Sequence, residues 1–266
     1  MTTTSPARTT APRPAAPPNG GGLPGALAAE WTKLWGLRST WTCAAAALLV
    51  TAATAGYTAS ALDRGGHAEA MTANGLFPTV VMLSQFGVVA LAALVITGEY
   101  ATGAIRSTLG AVPRRGRVLA AKTAVTGAAA FALGCGAGAV ADLAALAVYG
   151  DRMIIEAAPL AHAVLGTGYY TAAIALFTLG LGAVLRGTAG AVSAAIGVLI
   201  GVPFVVMMVG DPDLADIAAY LPADAGMALM TGITEPYGWP TAAALLTGWA
   251  AATLAAGYAA LRWRDA

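Results

Sequence analysis

Six long runs of apolar residues constrain the fold of this chain more than any other feature of its sequence. A helix needs roughly 20 consecutive apolar residues to cross the ~30 Å hydrocarbon layer of a bilayer. We expect such helices at residues 41–62, 76–97, 120–149, 160–185, 188–209 and 241–261. The sequence therefore predicts an all-α integral membrane protein with six transmembrane helices.

The scarcity of charged residues supports the same interpretation. Only 10% of the residues are charged and the mean hydropathy is +0.71, whereas a soluble domain is about one quarter charged. The net charge of +1 lacks the concentrated basic field that nucleic-acid binding requires. We therefore expect the lipid bilayer to surround the chain, and we expect no nucleic acid among its partners.

The amino-terminal segment differs in composition from the rest of the chain. Five prolines lie between Pro6 and Pro18, glycines follow at 20–22, and the segment contains no acidic residue. Such a segment buries too little apolar surface to offset the entropy of ordering it, and it lacks the apolar core of a signal peptide. We predict a disordered cytoplasmic tail at 1–25 and one transmembrane domain at 26–266.

The basic residues predict how the helices are oriented. Lysine and arginine concentrate in the short cytoplasmic loops of membrane proteins. With the amino end inside, all fourteen Lys and Arg residues fall on the cytoplasmic side except Arg64 and Arg152. Both termini are therefore predicted to be cytoplasmic.

The segment before the first apolar run, ALAAEWTKLWGLRSTW at 26–41, has two faces. Helical spacing gathers Leu27, Leu34, Trp31, Trp35 and Trp41 on one side and polar residues on the other. This pattern predicts an amphipathic helix in the headgroup layer; the alternative is the start of a long first span with an aromatic belt. The expected interfacial anchors are Trp31, Lys33, Trp35 and Arg38.

A second amphipathic segment, GEYATGAIRSTLGAVPRRGRVLAAK at 98–122, lies between the second and third apolar runs. Helical spacing places Tyr100, Ile105 and Leu109 on one stripe, and Pro113 ends the helix. The basic residues that follow are expected to meet the phosphate layer. A short helix presented to the cytoplasm is a candidate docking element for a partner.

These two segments, with YLPADAG at 220–226, resemble the type-2 exporter permeases of ABC transporters, most closely their actinobacterial members. In that family the loop after the second span carries a coupling helix that inserts into a separate ATPase subunit. The resemblance implies that Glu99, Arg106 and the turn at 113–115 face the ATPase. With the stripe residues, the candidate coupling set is Glu99, Tyr100, Ile105, Arg106, Leu109, Pro113, Arg114 and Arg115.

The resemblance also implies a function. The chain would be the permease subunit of a transporter in a bacterial plasma membrane, exporting its substrate and pairing with a second copy or a paralogue. ATP and Mg²⁺ would bind the partner ATPase, so this chain would need no cofactor and would not be an enzyme. Two alternatives stay open: a non-transporting membrane sensor or assembly component, and an ion-coupled secondary carrier, for which more charged or broken helices are expected.

Motifs for chemistry are weak in this sequence. GRVLAAKT at 116–123 matches a phosphate-binding loop except at Ala121, but no strand is predicted before it. The two histidines, His67 and His162, do not have metal-ligand spacing. We therefore predict neither a catalytic nor a metal site.

Two further features concern the spans themselves. Asp142 lies within the third apolar run, and an ionisable residue there is a functional candidate. Because His162 begins the next run at a similar depth, the two side chains are candidates for a pair near the outer interface. Glycines spaced by four residues, at 134 and 138 and again at 197 and 201, predict close helix packing within the chain or across a dimer.

Overall fold

The computed structural model describes residues 22–65, 70–111 and 115–263. The predicted tail lies outside the described residues up to position 21, whereas 22–25 belong to the first helix. The helices are α1 (Gly22–Gly36), α2 (Arg38–Arg64), α3 (Phe77–Thr102), α4 (Ala104–Ala111), α5 (Arg115–Tyr149), α6 (Ala157–Ala161), α7 (Thr167–Leu185), α8 (Thr188–Ile196), α9 (Val202–Val209), α10 (Pro212–Ala218), α11 (Pro222–Thr231) and α12 (Trp239–Trp263).

Short elements connect these helices. Two π-helical turns, His162–Gly166 and Gly197–Gly201, make α6 continuous with α7 and α8 continuous with α9. A 3-10 turn at Gly150–Arg152 follows α5. Two-residue strands β1 (Met71–Thr72) and β2 (Met153–Ile154) form a parallel pair, with Met71 opposite Met153.

The prediction of an all-α membrane protein with six spans is confirmed. Within the described residues, six helical stretches are long and apolar enough to cross a membrane. We number them spans 1 to 6: Arg38–Arg64, Leu83–Thr102, Arg115–Arg152, Ala157–Leu185, Thr188–Val209 and Trp239–Trp263. Spans 4 and 5 are separate, as predicted, because Arg186 adopts a left-handed conformation (φ 57°) and Gly187 is extended.

The amphipathic segment is shorter than predicted. Its helix ends at Gly36, Leu37 is extended (φ −87°, ψ 128°), and Trp41 belongs to span 1. Side chains from the first turn of α2 satisfy carbonyl groups at the end of α1: the Thr40 hydroxyl donates to Leu34 O over 2.5 Å, and the Trp41 indole donates to Trp35 O over 3.1 Å. The break is therefore stabilised by the residues that follow it.

The two ends of the helix bundle differ in charge. The end that carries α1, α4, Arg115 and Arg186 is called here the basic side. The opposite end, the acidic side, carries the β1–β2 pair and the short helices α10 and α11, and an ion pair joins Arg152 to Asp63 there at 2.7 Å. This separation matches the distribution from which the sequence predicts an orientation.

Span 4 forms the centre of the bundle. Two thirds of its most apolar window is buried, compared with 11% for span 5. Glycines allow its neighbours to approach closely: a Cβ at Gly134 or Gly138 of span 3 would lie within 2.6 Å of atoms of Thr171 or Ala163. Span 5, by contrast, lies at the periphery.

Candidate functional site

Four charged side chains meet where α1, span 2 and span 3 converge on the basic side. Lys122 Nζ lies 2.6 Å from Glu30 Oε2 and 2.7 Å from Glu99 Oε1. Lys33 Nζ lies 2.8 Å from Glu30 Oε1 and 2.8 Å from Glu99 Oε1. We call these four residues the charged cluster; its two carboxylates and two ammonium groups balance.

The cluster is largely removed from solvent. The side chains of Lys122, Glu30 and Glu99 are 2%, 6% and 12% exposed, and only that of Lys33, at 41%, reaches the surface. Burial lowers the pKa of Lys33, but hydrogen bonds and charges from Glu30 and Glu99 outweigh it and raise the pKa above its ordinary value. The Lys33 ammonium group is therefore charged at physiological pH.

The local sequence explains how α1 contributes to the cluster. Its buried residues are Ala26, Glu30 and Leu34, which are spaced by four and form one stripe toward the spans. Trp31 lies on the other side and is 49% exposed. The predicted apolar face is thus divided: Leu34 packs inward, while the rings of Trp31, Trp35 and Trp41 contact one another in series at 5.6 and 5.1 Å.

Two of the basic residues predicted to meet the headgroup layer, Lys122 and Lys33, belong to the cluster. Lys122 is almost fully buried, so that prediction is wrong for it. Lys33, predicted as an interfacial anchor, is partly exposed and bonds to carboxylates of the protein. Arg38, at the start of span 1, is exposed.

Helix α4 is attached directly to this cluster. Gly103 ends span 2 in the left-handed conformation (φ 72°), which turns the chain sharply into α4. Ile105 is buried, and the Lys33 ammonium group donates to Thr108 Oγ1 over 3.2 Å. One ammonium group therefore joins α1, the end of span 2 and α4.

The candidate coupling residues do not all lie on one outward face. Glu99 belongs to the cluster and Ile105 faces inward. Tyr100 is half-buried, with the Arg186 guanidinium 5.2 Å from the centre of its ring, and Arg115 donates a hydrogen bond to Leu261 O.

For the other four candidate coupling residues, the structure does not describe the side chain. Arg106 and Leu109 lie on α4, but their two side chains are not described, and Pro113 and Arg114 lie outside the described residues. Ser107 of α4 is exposed. The described residues of the segment therefore hold α4 against the bundle. The outward face of α4 includes Ser107.

The segment that resembles a phosphate-binding loop is helical. Positions 116–123 lie within the first three turns of α5, and the Lys122 ammonium group is bonded to Glu30 and Glu99. No strand precedes this helix among the described residues that adjoin it. Across the described part of the chain, no group of three or more His, Cys, Asp or Glu residues could hold a metal ion.

The two intramembrane polar residues do not pair. His162 Nδ1 lies 2.8 Å from Leu229 O and so holds α11 against the start of span 4. Asp142 is 8% exposed, and no described residue bonds to its Oδ2. The expected pair between them is absent from the ion pairs of the described residues.

The acidic side contains a polar group that the sequence did not indicate. The Tyr170 hydroxyl donates to Gln85 Oε1 over 2.7 Å in the bundle interior, beside a cavity of about 340 Å³ that Asp224 also lines. Gly226 permits this packing, since a Cβ there would lie 2.2 Å from the Tyr170 ring. Burial raises the pKa of Asp224 above its ordinary value.

Sequence reasoning missed Glu30 as a site residue and misplaced Lys122. A signal was present: Glu30 and Lys33 are three residues apart on one helix, and Glu99 and Lys122 each lie near the end of an apolar run. That these ends meet can be known only once α1 is folded against spans 2 and 3.

Comparison with models of known protein families and with curated proteins finds no match to this chain. A function is therefore proposed from the fold, the charged cluster and the resemblance of the sequence segments.

Proposed function

We propose that this chain is the transmembrane permease subunit of an ATP-driven ABC transporter, acting as an exporter. In this proposal the basic side faces the cytoplasm, two permease subunits enclose the substrate path, and a separate ATPase subunit binds ATP and Mg²⁺. The six spans and the concentration of Lys and Arg at one end of the bundle support this arrangement.

The observation that carries the proposal is the attachment of α4. A short helix that only connected two spans would need no hydrogen bond to a charged side chain of a third element. Here Lys33 of α1 bonds to Thr108 of α4 and to Glu99 of span 2, and Lys122 of span 3 completes the cluster. A push on α4 therefore reaches α1, span 2 and span 3 together.

This arrangement suits α4 as the coupling helix. The ATPase would contact α4 from the basic side, and its closure on ATP would displace α4. Because buried ion pairs resist separation, the charged cluster would move as a unit and pass the displacement to spans 2 and 3. The pathway between two permease subunits would then switch its opening from one side to the other.

The test of this proposal uses charge reversal on α4. Glu99 is unsuitable for reversal, because its carboxylate belongs to the cluster and its loss would disturb folding. Arg106→Glu changes α4 itself, and Arg117→Glu is the matched control, since Arg117 is an exposed arginine on α5 close in sequence. Each variant would be affinity-purified from its native membrane in mild detergent, and co-purifying ATPase activity would be measured.

We expect wild type and Arg117→Glu to recover an ATP-hydrolysing subunit and Arg106→Glu to lose most of it. Equal recovery of the ATPase with all three proteins would be consistent with a permease subunit and would place the docking surface outside α4. Absence of any ATPase from a complex that survives extraction would contradict the proposal and favour an ion-coupled carrier. An ATPase-bound complex that moves no substrate would favour the sensor or assembly role.

A further inference from the structure

Helices α10 and α11 form a hairpin that enters the bundle from the acidic side. At their joint, Tyr220 O accepts a hydrogen bond from the Trp249 indole over 3.1 Å, and Trp249 lies ten residues into span 6. Ten residues of helix extend about 15 Å, which is half of a ~30 Å hydrocarbon layer. At the other end of α11, Thr231 O accepts from the Asn74 amide, next to β1, over 2.5 Å. The first turn of α11 therefore lies near the middle of the bilayer, and its last turn lies at the acidic side.

A cavity of about 340 Å³ lies beside the first turn of α11, at the lower end of the range for small-molecule sites. Spans 2, 4 and 5 and α11 all contribute to its wall. Span 5 contributes its π-helical turn through Leu199 and Ile200, and π-helical turns are frequent at functional sites. Phe204 and Met207 also line the cavity and are exposed on the outside of the bundle. A lipophilic molecule dissolved in the bilayer can therefore reach this cavity.

One carboxylate of the cavity wall is unpaired. Among the described residues of the wall, Asp224 is the only one with a charged side chain, and it interacts electrostatically with the Tyr170 hydroxyl. Asp224 is partly exposed, and its own backbone N–H is its only hydrogen-bond donor among the described residues. Neither of its carboxylate oxygens is enclosed by the protein, and no described residue forms an ion pair with it. The carboxylate is therefore available to a ligand.

The elements around the cavity are poor in positive charge. The sequences of α3, span 4, span 5 and α11 contain no lysine or arginine. His162, at the start of span 4, is bonded to Leu229 O. The positive end of the α11 dipole offers about half of an elementary charge, which is less than the full negative charge of Asp224. The field in the cavity is therefore negative, and an unpaired carboxylate at this depth is a candidate binding group for a cation.

The rest of the wall determines which kind of cation fits. A metal ion requires several oxygen ligands, whereas the two other polar side chains of the wall, Gln85 and Tyr170, are hydrogen-bonded to each other. Aliphatic, aromatic and methionine side chains form most of the remaining wall, including Phe204 and Met227. Methionine adapts to ligands of varied shape, and an aromatic ring attracts a cation. The cavity therefore suits a cation whose remaining surface is apolar.

We propose that this cavity binds a small lipophilic amine in its protonated, ammonium form. The ammonium group donates to the Asp224 carboxylate, and the apolar part of the ligand lies against Phe204, Met207 and Met227. The ligand supplies the counter-charge that the surrounding elements lack. Binding itself needs no ATPase; only the assignment of such amines as the transported substrate class rests on the proposed function.

The experiment compares two fluorescent probes of nearly equal shape: pyrenylmethylamine, which is protonated at neutral pH, and pyrenylmethanol, which is neutral. The purified full-length chain would be placed in nanodiscs of dioleoyl-phosphatidylcholine, whose headgroup has no N–H donor that could compete for Asp224. Bound probe would be measured by equilibrium dialysis. Empty nanodiscs give the amount of each probe that partitions into lipid alone.

Three variants separate the charge of the site from its apolar wall. Asp224→Asn removes the charge and keeps the shape of the side chain. Asp213→Asn is the matched control, because Asp213 is also a carboxylate in the first turn of a helix but is exposed and does not line the cavity. Phe204→Ala removes part of the apolar wall and changes no charge. Thermal unfolding shows that each variant is folded.

We expect wild type and Asp213→Asn to bind the amine about tenfold more tightly than the alcohol, because the contact is a charge-assisted hydrogen bond. Asp224→Asn should lower the affinity for the amine to that for the alcohol, and Phe204→Ala should weaken the binding of both probes. Equal affinity of wild type for the two probes would overturn the proposal. A preference that survives in Asp224→Asn, or that is lost equally in Asp213→Asn, would also overturn it, since the general surface charge would then be its source. None of these outcomes depends on whether an ATPase co-purifies.

Discussion

At the scale of single residues, Lys122 determines the energetics of the basic side. Its ammonium group is 2% exposed and bonds to both cluster carboxylates. Taking an ammonium group out of water is costly, and the cost is offset only while its partners remain in place. Removal of one charge of the cluster should therefore lower the free energy of unfolding. Removal of one cation together with one anion should lower it less.

Lys122→Met is expected to lower the free energy of unfolding by about 3–5 kcal/mol, because Glu30 and Glu99 are left with one cation between them. Glu30→Gln combined with Lys122→Met should be more stable than Lys122→Met alone, since the Lys33–Glu99 pair remains neutral. Unfolding by SDS titration in micelles measures both. Additive losses in the double variant would contradict the cluster as a coupled unit.

The residue scale also shows where sequence reasoning fails. A lysine near the end of an apolar run normally extends its ammonium group to the headgroups, and nothing in the local sequence of Lys122 indicates otherwise. Its burial results from Glu30, which lies 92 positions away and belongs to a separate helix. Ion pairs across such distances follow from the tertiary fold and leave no periodic signal.

At the scale of elements, identical glycine spacings have different consequences. Gly134 and Gly138 lie where spans 3 and 4 touch, and a Cβ at Gly138 would come within 2.6 Å of the Ala163 carbonyl oxygen. At Gly197 and Gly201, no atom of a described residue lies within 4 Å of the equivalent position. The predicted close packing is therefore found within the chain for the first pair, whereas the second pair has no such contact within the chain and leaves the dimer alternative open.

Gly138→Ala is expected to destabilise the protein by about 1–3 kcal/mol, because the added methyl group meets backbone that cannot move independently of span 4. Gly197→Ala should be neutral or stabilising, since it adds a methyl group to open space and a better helix former. Thermal unfolding of the two purified variants tests this difference. Equal melting temperatures would show that the spans 3–4 contact is looser than described.

Helix positions were more predictable than helix junctions. The six apolar runs locate the spans because hydrocarbon thickness imposes their length, and the turn at Arg186 was predictable from a charge between two apolar runs. The break at Leu37 was not. It depends on Thr40 and Trp41 donating to carbonyl groups of α1, which are contacts that composition and periodicity do not encode.

At the scale of the whole molecule, the spans are unequally buried. Span 4 is enclosed by its neighbours, whereas span 5 has the highest hydropathy of the six, 2.5, and is 11% buried. Lipid can cover such a span. Under the proposed function, however, a second permease subunit is required, and the open glycines of span 5 allow close approach of a second helix backbone.

The dimer of the proposed function therefore leads to a specific cross-linking prediction. In a background with Cys43→Ala and Cys135→Ala, Gly201→Cys should form a disulfide-linked dimer when membranes are treated with a mild oxidant. Gly248→Cys is the control: Gly248 lies in span 6, and no atom of the described part of the chain lies within 4 Å of an added Cβ there.

Cross-linking at position 201 and not at 248 would support a seam along span 5. It would also explain why two glycines one turn apart face away from the rest of their own chain. Equal cross-linking at both positions would indicate random collision. If neither cysteine reacts in membranes where the chain is paired with its ATPase, span 5 faces lipid and the seam lies elsewhere.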